Sequence, residues 1–281
     1  MHKTLLTGVR ADTPIGAMVS FGLLRLNPSF RLAWDGRIAA LYTPAPFSAD
    51  ELVEFVARAA SGRPKPDDRR EFSWASTLKN VGHEDWAKAV SSAATPDECG
   101  WLAAFGAPGA ERFYPTPFDM TSGSQKFLRE LAALPGLVTQ ESVREALFGP
   151  WMYRDSTHSL GWDPNMVRAG AFTSVQPREL KKERGITAAV WLASESLPLF
   201  PCFTAEGGRL AVRAWVGHQF TWPIWERPVA LAGLKALIRN PWHPQVTAVY
   251  GSLRTKAGRQ PGFGPAQIIF EDRRHFQPEW R

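Results

Sequence analysis

Apolar positions recur at helical spacing along the N-terminal part of the chain: Ile15, Met18, Val19, Leu23 and Leu26 follow Asp12-Thr13-Pro14, which supplies a cap and a first-turn proline. This pattern predicts a helix with one buried face. Ahead of it, Leu5-Leu6 before Gly8 predicts a short strand. Residues 30–34 and 37–42 flank Asp35-Gly36, a pair that accepts the positive φ values of a two-residue turn, and so predict a hairpin. Ser48-Ala49-Asp50-Glu51 then caps a second helix carrying Leu52, Phe55 and Val56 and ending near Gly62. The polar stretch 63–70 reads as a solvated loop or hinge.

From 74 to 105 the spacing is mostly helical, anchored by Trp86, Val90, Trp101 and Leu102, with a new start at Thr95-Pro96-Asp97. A proline-rich connection over 113–118 leads to Ser122-Gly123-Ser124, which opens a helix through Phe127, Leu128, Leu131 and Leu134. Thr139 caps another through Val143, Ala146, Leu147 and Phe148. Region 150–185 is rich in turn residues. Residues 187–197 predict a buried helix, 209–215 a strand returning at 219–222 through Val216-Gly217-His218, 228–239 a helix, and 246–253 and 267–270 two further strands. With no fixed-period repeat and no clean linker, the expectation is one α+β unit over 1–281. It has a mixed or antiparallel sheet and a helical lobe around 73–148.

Composition narrows the class. At 44% hydrophobic and 21% charged residues the chain is ordinary for a globular protein, and long disorder is not expected. Only two cysteines occur, Cys99 and Cys202, with no CxxC or ligand-spaced histidine, so neither a disulfide framework nor a zinc knuckle is implied and a reducing cytoplasm fits. The N-terminus lacks the apolar core of a signal peptide, and no run approaches the ~20 apolar residues of a membrane span. No membrane partner is expected.

Catalytic signatures are missing from the sequence. There is no GxxxxGK[ST], GxSxG or HExxH, and the six histidines are not paired at metal-ligand spacing. No cofactor or metal is therefore implied by motif. A metal nuclease needs two or three carboxylates converging on one ion, and Asp119, Asp163, Glu271 and Asp272 are the candidates for that alternative. A helix start for Glu84-Asp85 and an exposed strand end for Glu271-Asp272 explain these groups better than a metal does.

The basic groups carry more information. The net charge is +6, which favours polyanionic partners. Residues 178–185 hold four cations against two acids, among them Lys181, Lys182 and Arg184. Arg254, Lys256 and Arg259 lie in a stretch, 251–264, that has four glycines and no acid, and it reads either as a loop approaching a phosphate chain or as a plain hairpin loop. Lys126 and Arg129 follow Thr121-Ser122-Gly123-Ser124 at an expected helix start, where free N–H groups favour an anion, although simple capping explains the hydroxyls. Twelve tryptophans add a second theme. Pro150-Trp151-Met152-Tyr153-Arg154 and Phe220-Thr221-Trp222-Pro223-Ile224-Trp225-Glu226-Arg227-Pro228 place indoles beside cations, so Trp151, Tyr153 and Trp225 are candidates for stacking on bases, or else large core residues.

These phrases carry a likeness. Residues 6–10 and 13–26, Phe118-Asp119-Met120-Thr121-Ser122-Gly123-Ser124-Gln125-Lys126-Phe127-Leu128, Leu160-Gly161-Trp162-Asp163-Pro164 and residues 220–225 together resemble large or accessory subunits of type I CRISPR effector complexes, particularly the type I-G (formerly I-U) group. The resemblance implies a non-catalytic subunit of an antiviral ribonucleoprotein, contacting guide RNA or target DNA alongside other subunits, with sequence specificity left to base pairing. A metal-dependent nuclease and a protein-interaction scaffold remain the alternatives.

Overall fold

A computed structural model describes residues 1–109, 112–123, 125–165, 184–257 and 260–271. The fold is α+β, and every strand pair is antiparallel. Strand β1 (His2–Arg10) lies beside β3 (Ile38–Thr43), which in turn pairs with β2 (Arg31–Asp35) in a three-stranded sheet. Between β1 and β2 runs helix α1 (Pro14–Leu26), capped by the Thr13 side chain, which accepts from the Gly16 N–H at 3.1 Å.

Helix α1 is buried from Pro14 to Leu24, on more sides than its spacing predicts, because it packs against α8 (Thr187–Glu195), itself buried along its whole length. The two backbones approach closely at Gly22, where a Cβ would stand 1.7 Å from the Leu192 carbonyl oxygen. No other residue fits there.

The other helices follow their caps. Helix α2 (Ala49–Ser61) starts with a capping box between Ser48 and Glu51. Next come the short α3 (Arg70–Ser73), then α4 (His83–Ser92) and α5 (Pro96–Phe105), the last with a capping box between Thr95 and Glu98. Strands β4 (Gly106–Pro108) and β5 (Phe113–Pro115) form a ribbon, followed by α6 (Phe127–Ala133) and by α7 (Gln140–Phe148) under the Thr139 cap.

The second sheet is built on the long strand β10 (Val246–Ala257). On one side it pairs with β9 (Gln219–Trp225), which is hairpinned to β8 (Trp215–Val216); on the other it pairs with β11 (Gln260–Phe263) and β12 (Gln267–Glu271). A separate pair joins β6 (Cys202–Thr204) to β7 (Leu210–Val212), and α9 (Leu231–Arg239) precedes β10. Strand β2 is tied to the segment that follows β9 by a bridge in which Leu32 and Val229 exchange N–H···O bonds of 2.9 Å. Buried side chains from Leu6 to Phe263 form one continuous cluster.

Four local expectations are corrected. Residues 63–70 are not simply solvated: Arg69 is buried, donates to Glu71 at 2.9 Å and lies 4.1 Å from the Phe72 ring centroid, so the polar run turns inward to pair its charge. The strand expected over 209–215 is broken at Ala214 (φ +68), whose carbonyl accepts both the N–H and the hydroxyl of Thr221. In stretch 251–264 the described residues 251–257 and 260–263 are the antiparallel strands β10 and β11, so the hairpin reading is met by paired strands rather than by a glycine loop. The helix expected to open at Ser122 begins only at Phe127. Thr121 donates its N–H and hydroxyl to the Asp119 carboxylate at 3.0 and 2.5 Å, and the Ser122 N–H donates to Gln125 Oε1 at 2.8 Å, so side chains take the backbone groups a helix would use.

Candidate nucleic-acid interface

Segment 116–126 is fixed from below by aromatic packing. Phe118 is fully buried among Phe200, Trp215, Phe220 and Phe263, and its carbonyl accepts the Trp162 indole N–H at 3.0 Å. The chain beyond it therefore has a set position, and two of its carbonyls collect cations. Arg254, on β10, donates from Nη2 to the Asp119 carbonyl at 3.0 Å. Lys79 donates from Nζ to the Thr121 carbonyl at 2.8 Å. Gln125 bonds the His158 ring, and Lys126 follows it, exposed, immediately before α6. Arg129 is exposed one turn further on, its N–H held by the Ser76 carbonyl at 3.3 Å.

A cation held by a carbonyl keeps its whole charge, whereas one held by a carboxylate does not. Among the described residues no carboxylate forms an ion pair with Lys79, Lys126, Arg129 or Arg254. Burial pulls the Arg254 guanidinium below its usual pKa and the Asp119 carboxylate opposes that shift; arginine nevertheless stays protonated. The Asp119 carboxylate, buried and occupied by Thr121, offsets part of this charge.

The structure thus brings Lys126, Arg129 and Arg254 to one segment and adds Lys79, which sequence reasoning missed because it sits inside a stretch read as helix. The helix-start anion site is not formed: Lys126 caps α6 without a side-chain bond, and the hydroxyls of Thr121 and Ser122 lie outside that helix. Arg184 is exposed beside Gly185, which bridges to Asp155. Lys256 pairs through its backbone with Pro261; its side chain, with Arg259, Lys181 and Lys182, lies outside the described residues, as does Asp272.

Trp225 is corrected as a stacking candidate. It is fully buried, donates to the Leu32 carbonyl at 2.8 Å and stacks on Phe21 at 6.1 Å, so no base reaches it. Trp162 and Trp222 are likewise buried, and each indole N–H is bonded to a backbone carbonyl. Trp151 and Tyr153 are only half-buried, their rings edge to face at 6.2 Å.

Of the carboxylates considered for a metal, Asp119 and Asp163 are buried and accept local N–H groups, from Thr121 and Asn165, while Glu271 is exposed on β12. Among the described residues no group of three His, Cys, Asp or Glu comes together in a way that holds a metal ion. Among them, too, no helix is long and apolar enough to cross a membrane. Cys99 is exposed and Cys202 buried, neither in a disulfide. No protein-family model matches this chain, and no curated protein matches it either.

Proposed function

We propose that the chain is a non-catalytic nucleic-acid-binding subunit of a cytoplasmic ribonucleoprotein of the type I CRISPR kind, contacting the backbone of guide RNA or target DNA. The observation that carries this reading is the placement of Lys79, Lys126, Arg129 and Arg254 around segment 119–129, two of them anchored by carbonyl oxygens and none ion-paired to a carboxylate among the described residues. Phosphate contacts need cations whose charge is not already spent, and each such contact releases counterions, so binding falls with salt. Base pairing within the complex supplies sequence specificity.

Contacts with other subunits draw support from a different surface. Strand β12 pairs only with β10 among the described residues, and Ile268 and Ile269 on it, with Trp242, are exposed. Apolar side chains on an edge strand suit a protein neighbour. Purification from the native host at low salt is the test. RNA or DNA is expected to accompany the protein, together with other proteins. Protein free of nucleic acid under those conditions contradicts the proposal, as does cleavage of RNA or DNA that requires Mg²⁺ or Mn²⁺.

A further inference from the structure

A cavity of about 400 Å³ lies between the end of β1 and the loop that follows α7, with Arg10, Thr13, Trp151, Tyr153, Asp163 and Asn165 in its walls. A second, of about 520 Å³, is lined by Asp12, Arg37, Tyr250 and Gln267 among others and shares Thr13 and Asn165 with the first. The two make one trough.

Its inner wall is rigid. The buried Glu145 carboxylate, on α7, accepts the N–H groups of both Met152 and Tyr153, the latter at 2.8 Å, and so holds Tyr153 at φ +55. A non-glycine residue stays in that conformation only where its surroundings impose it. The Trp151 indole N–H donates to the Ala146 carbonyl at 3.2 Å, which sets the first ring of the wall. The Tyr153 hydroxyl is hydrogen-bonded to the buried Asp163 carboxylate and accepts from Asn165 Nδ2 at 3.4 Å. Two cations stand at the mouth. Arg10 donates to Asp12 through two nitrogens, at 2.9 and 2.7 Å, and Arg37 reaches the same carboxylate at 3.4 Å, so two guanidiniums share one acid there, while the Asp163 carboxylate lies in the wall beside the Tyr153 hydroxyl.

We infer that this trough receives an unpaired stretch of a nucleic-acid strand, one base entering the smaller cavity against Trp151, Tyr153 and Asn165 while its phosphate lies by Arg10 and the backbone runs on past Arg37. Paired rings, an amide at their edge and a cation at the mouth match the three parts of a nucleotide, and the second cavity gives the chain somewhere to continue. Only an unpaired base offers an open face to aromatic rings, because in a duplex both faces are covered by neighbours. The inference rests on the nucleic-acid reading above but concerns different residues. It adds that the bound strand is single and that at least one base is held.

Two labelled twelve-residue single strands of equal charge, one normal and one with every base removed, separate the two ideas when their binding to the full chain is compared at low salt. The base-bearing strand is expected to bind about tenfold more tightly, in line with the contribution of a stacked base. Trp151→Leu is expected to shrink that advantage several-fold, whereas Arg10→Gln, which removes a phosphate contact, is expected to weaken both strands alike, and thermal melting checks that both variants are folded. A strand carrying one 4-thiouridine is expected to photocrosslink to Trp151 or Tyr153, which tests the site without any substitution. Equal binding of the two strands, or crosslinks confined to other segments, overturns the inference and leaves the backbone-binding function standing. Failure of both strands to bind overturns the two together.

Discussion

Two basic regions of this protein differ in what holds their cations. On the three-stranded sheet and its turn, Lys3 pairs with Asp35 at 2.6 Å, and Arg10 and Arg37 share Asp12. The hydrogen bond to Asp35 raises the Lys3 pKa, and the one to Asp12 raises that of Arg10. Around segment 119–129, Arg254 and Lys79 rest on the carbonyls of Asp119 and Thr121, while Lys126 and Arg129 point to solvent. Exposed ion pairs are screened by solvent and add little to stability, so the first arrangement does little for the fold. It does lower the charge available to a phosphate, which must displace or share a carboxylate. The second arrangement leaves that charge free. Counting lysines and arginines along a sequence does not distinguish the two; their acceptors do.

The largest effect is expected where the frame common to both regions is removed. Trp225 fills the junction of the sheets, stacked on Phe21 and edge-on to Trp34. Trp225→Ala should destabilise the fold by about 3–5 kcal/mol, read by denaturant unfolding. A loss below ~1 kcal/mol would mean that the two sheets are not packed through this residue.

Next come the regions themselves. Lys126→Gln with Arg129→Gln is expected to lower affinity for a single-stranded oligonucleotide at low salt by more than tenfold without shifting the melting temperature, because both side chains are exposed and make no side-chain bond within the described structure. Asp12→Asn sharpens the comparison from the other side. Freeing Arg10 and Arg37 of their shared acid converts the paired region towards the unpaired kind and should tighten binding several-fold; weakened binding would show that Asp12 serves the site rather than masks it.

The smallest effect is expected at the thiols. Burial pushes the Cys202 thiol up to about 12, its ordinary value being 9.0. The folded protein keeps this group protonated while the unfolded chain would ionise it. Its contribution to stability is therefore whole below about pH 9 and is lost as pH rises towards 12. At pH 8, alkylation should modify exposed Cys99, spare Cys202 and leave nucleic-acid binding unchanged.

How far the sequence announces all this varies with the range of the interaction. The caps at Thr13, Ser48, Thr95 and Thr139 are legible because each is satisfied within a few residues of chain. The turn between β2 and β3 is legible for the same reason, although it falls on Gly36-Arg37, one residue later than expected, with Asp35 paired to Ile38 and Gly36 taking φ +57. Segment 119–126 reads wrongly as a helix start: its hydroxyls have capping chemistry, but the buried Asp119 claims Thr121 and the aromatic cluster around Phe118 sets the course of the chain. Lys79 gives no signal, since its acceptor is forty-two residues away in sequence. The indoles are ambiguous for a related reason. Trp222 and Trp225 follow the same pattern as Trp151, and only the joining of the two sheets decides that the first two are core and the third lines a cavity.

The central claim is that the unpaired cations near segment 119–129 bind the phosphate backbone more strongly than cations already paired with a carboxylate. It is tested most directly by titrating salt against the binding of one labelled single strand to the unaltered protein, to Lys126→Gln with Arg129→Gln, and to Lys3→Gln. Each cation withdrawn from the phosphate backbone should flatten the slope of log K against log salt by about 0.7. The double variant is thus predicted to lose about 1.4 from the slope, and Lys3→Gln, whose charge is already met by Asp35, to keep the slope of the unaltered protein. Parallel lines for the unaltered protein and the double variant would contradict the account, and so would an equal flattening by Lys3→Gln.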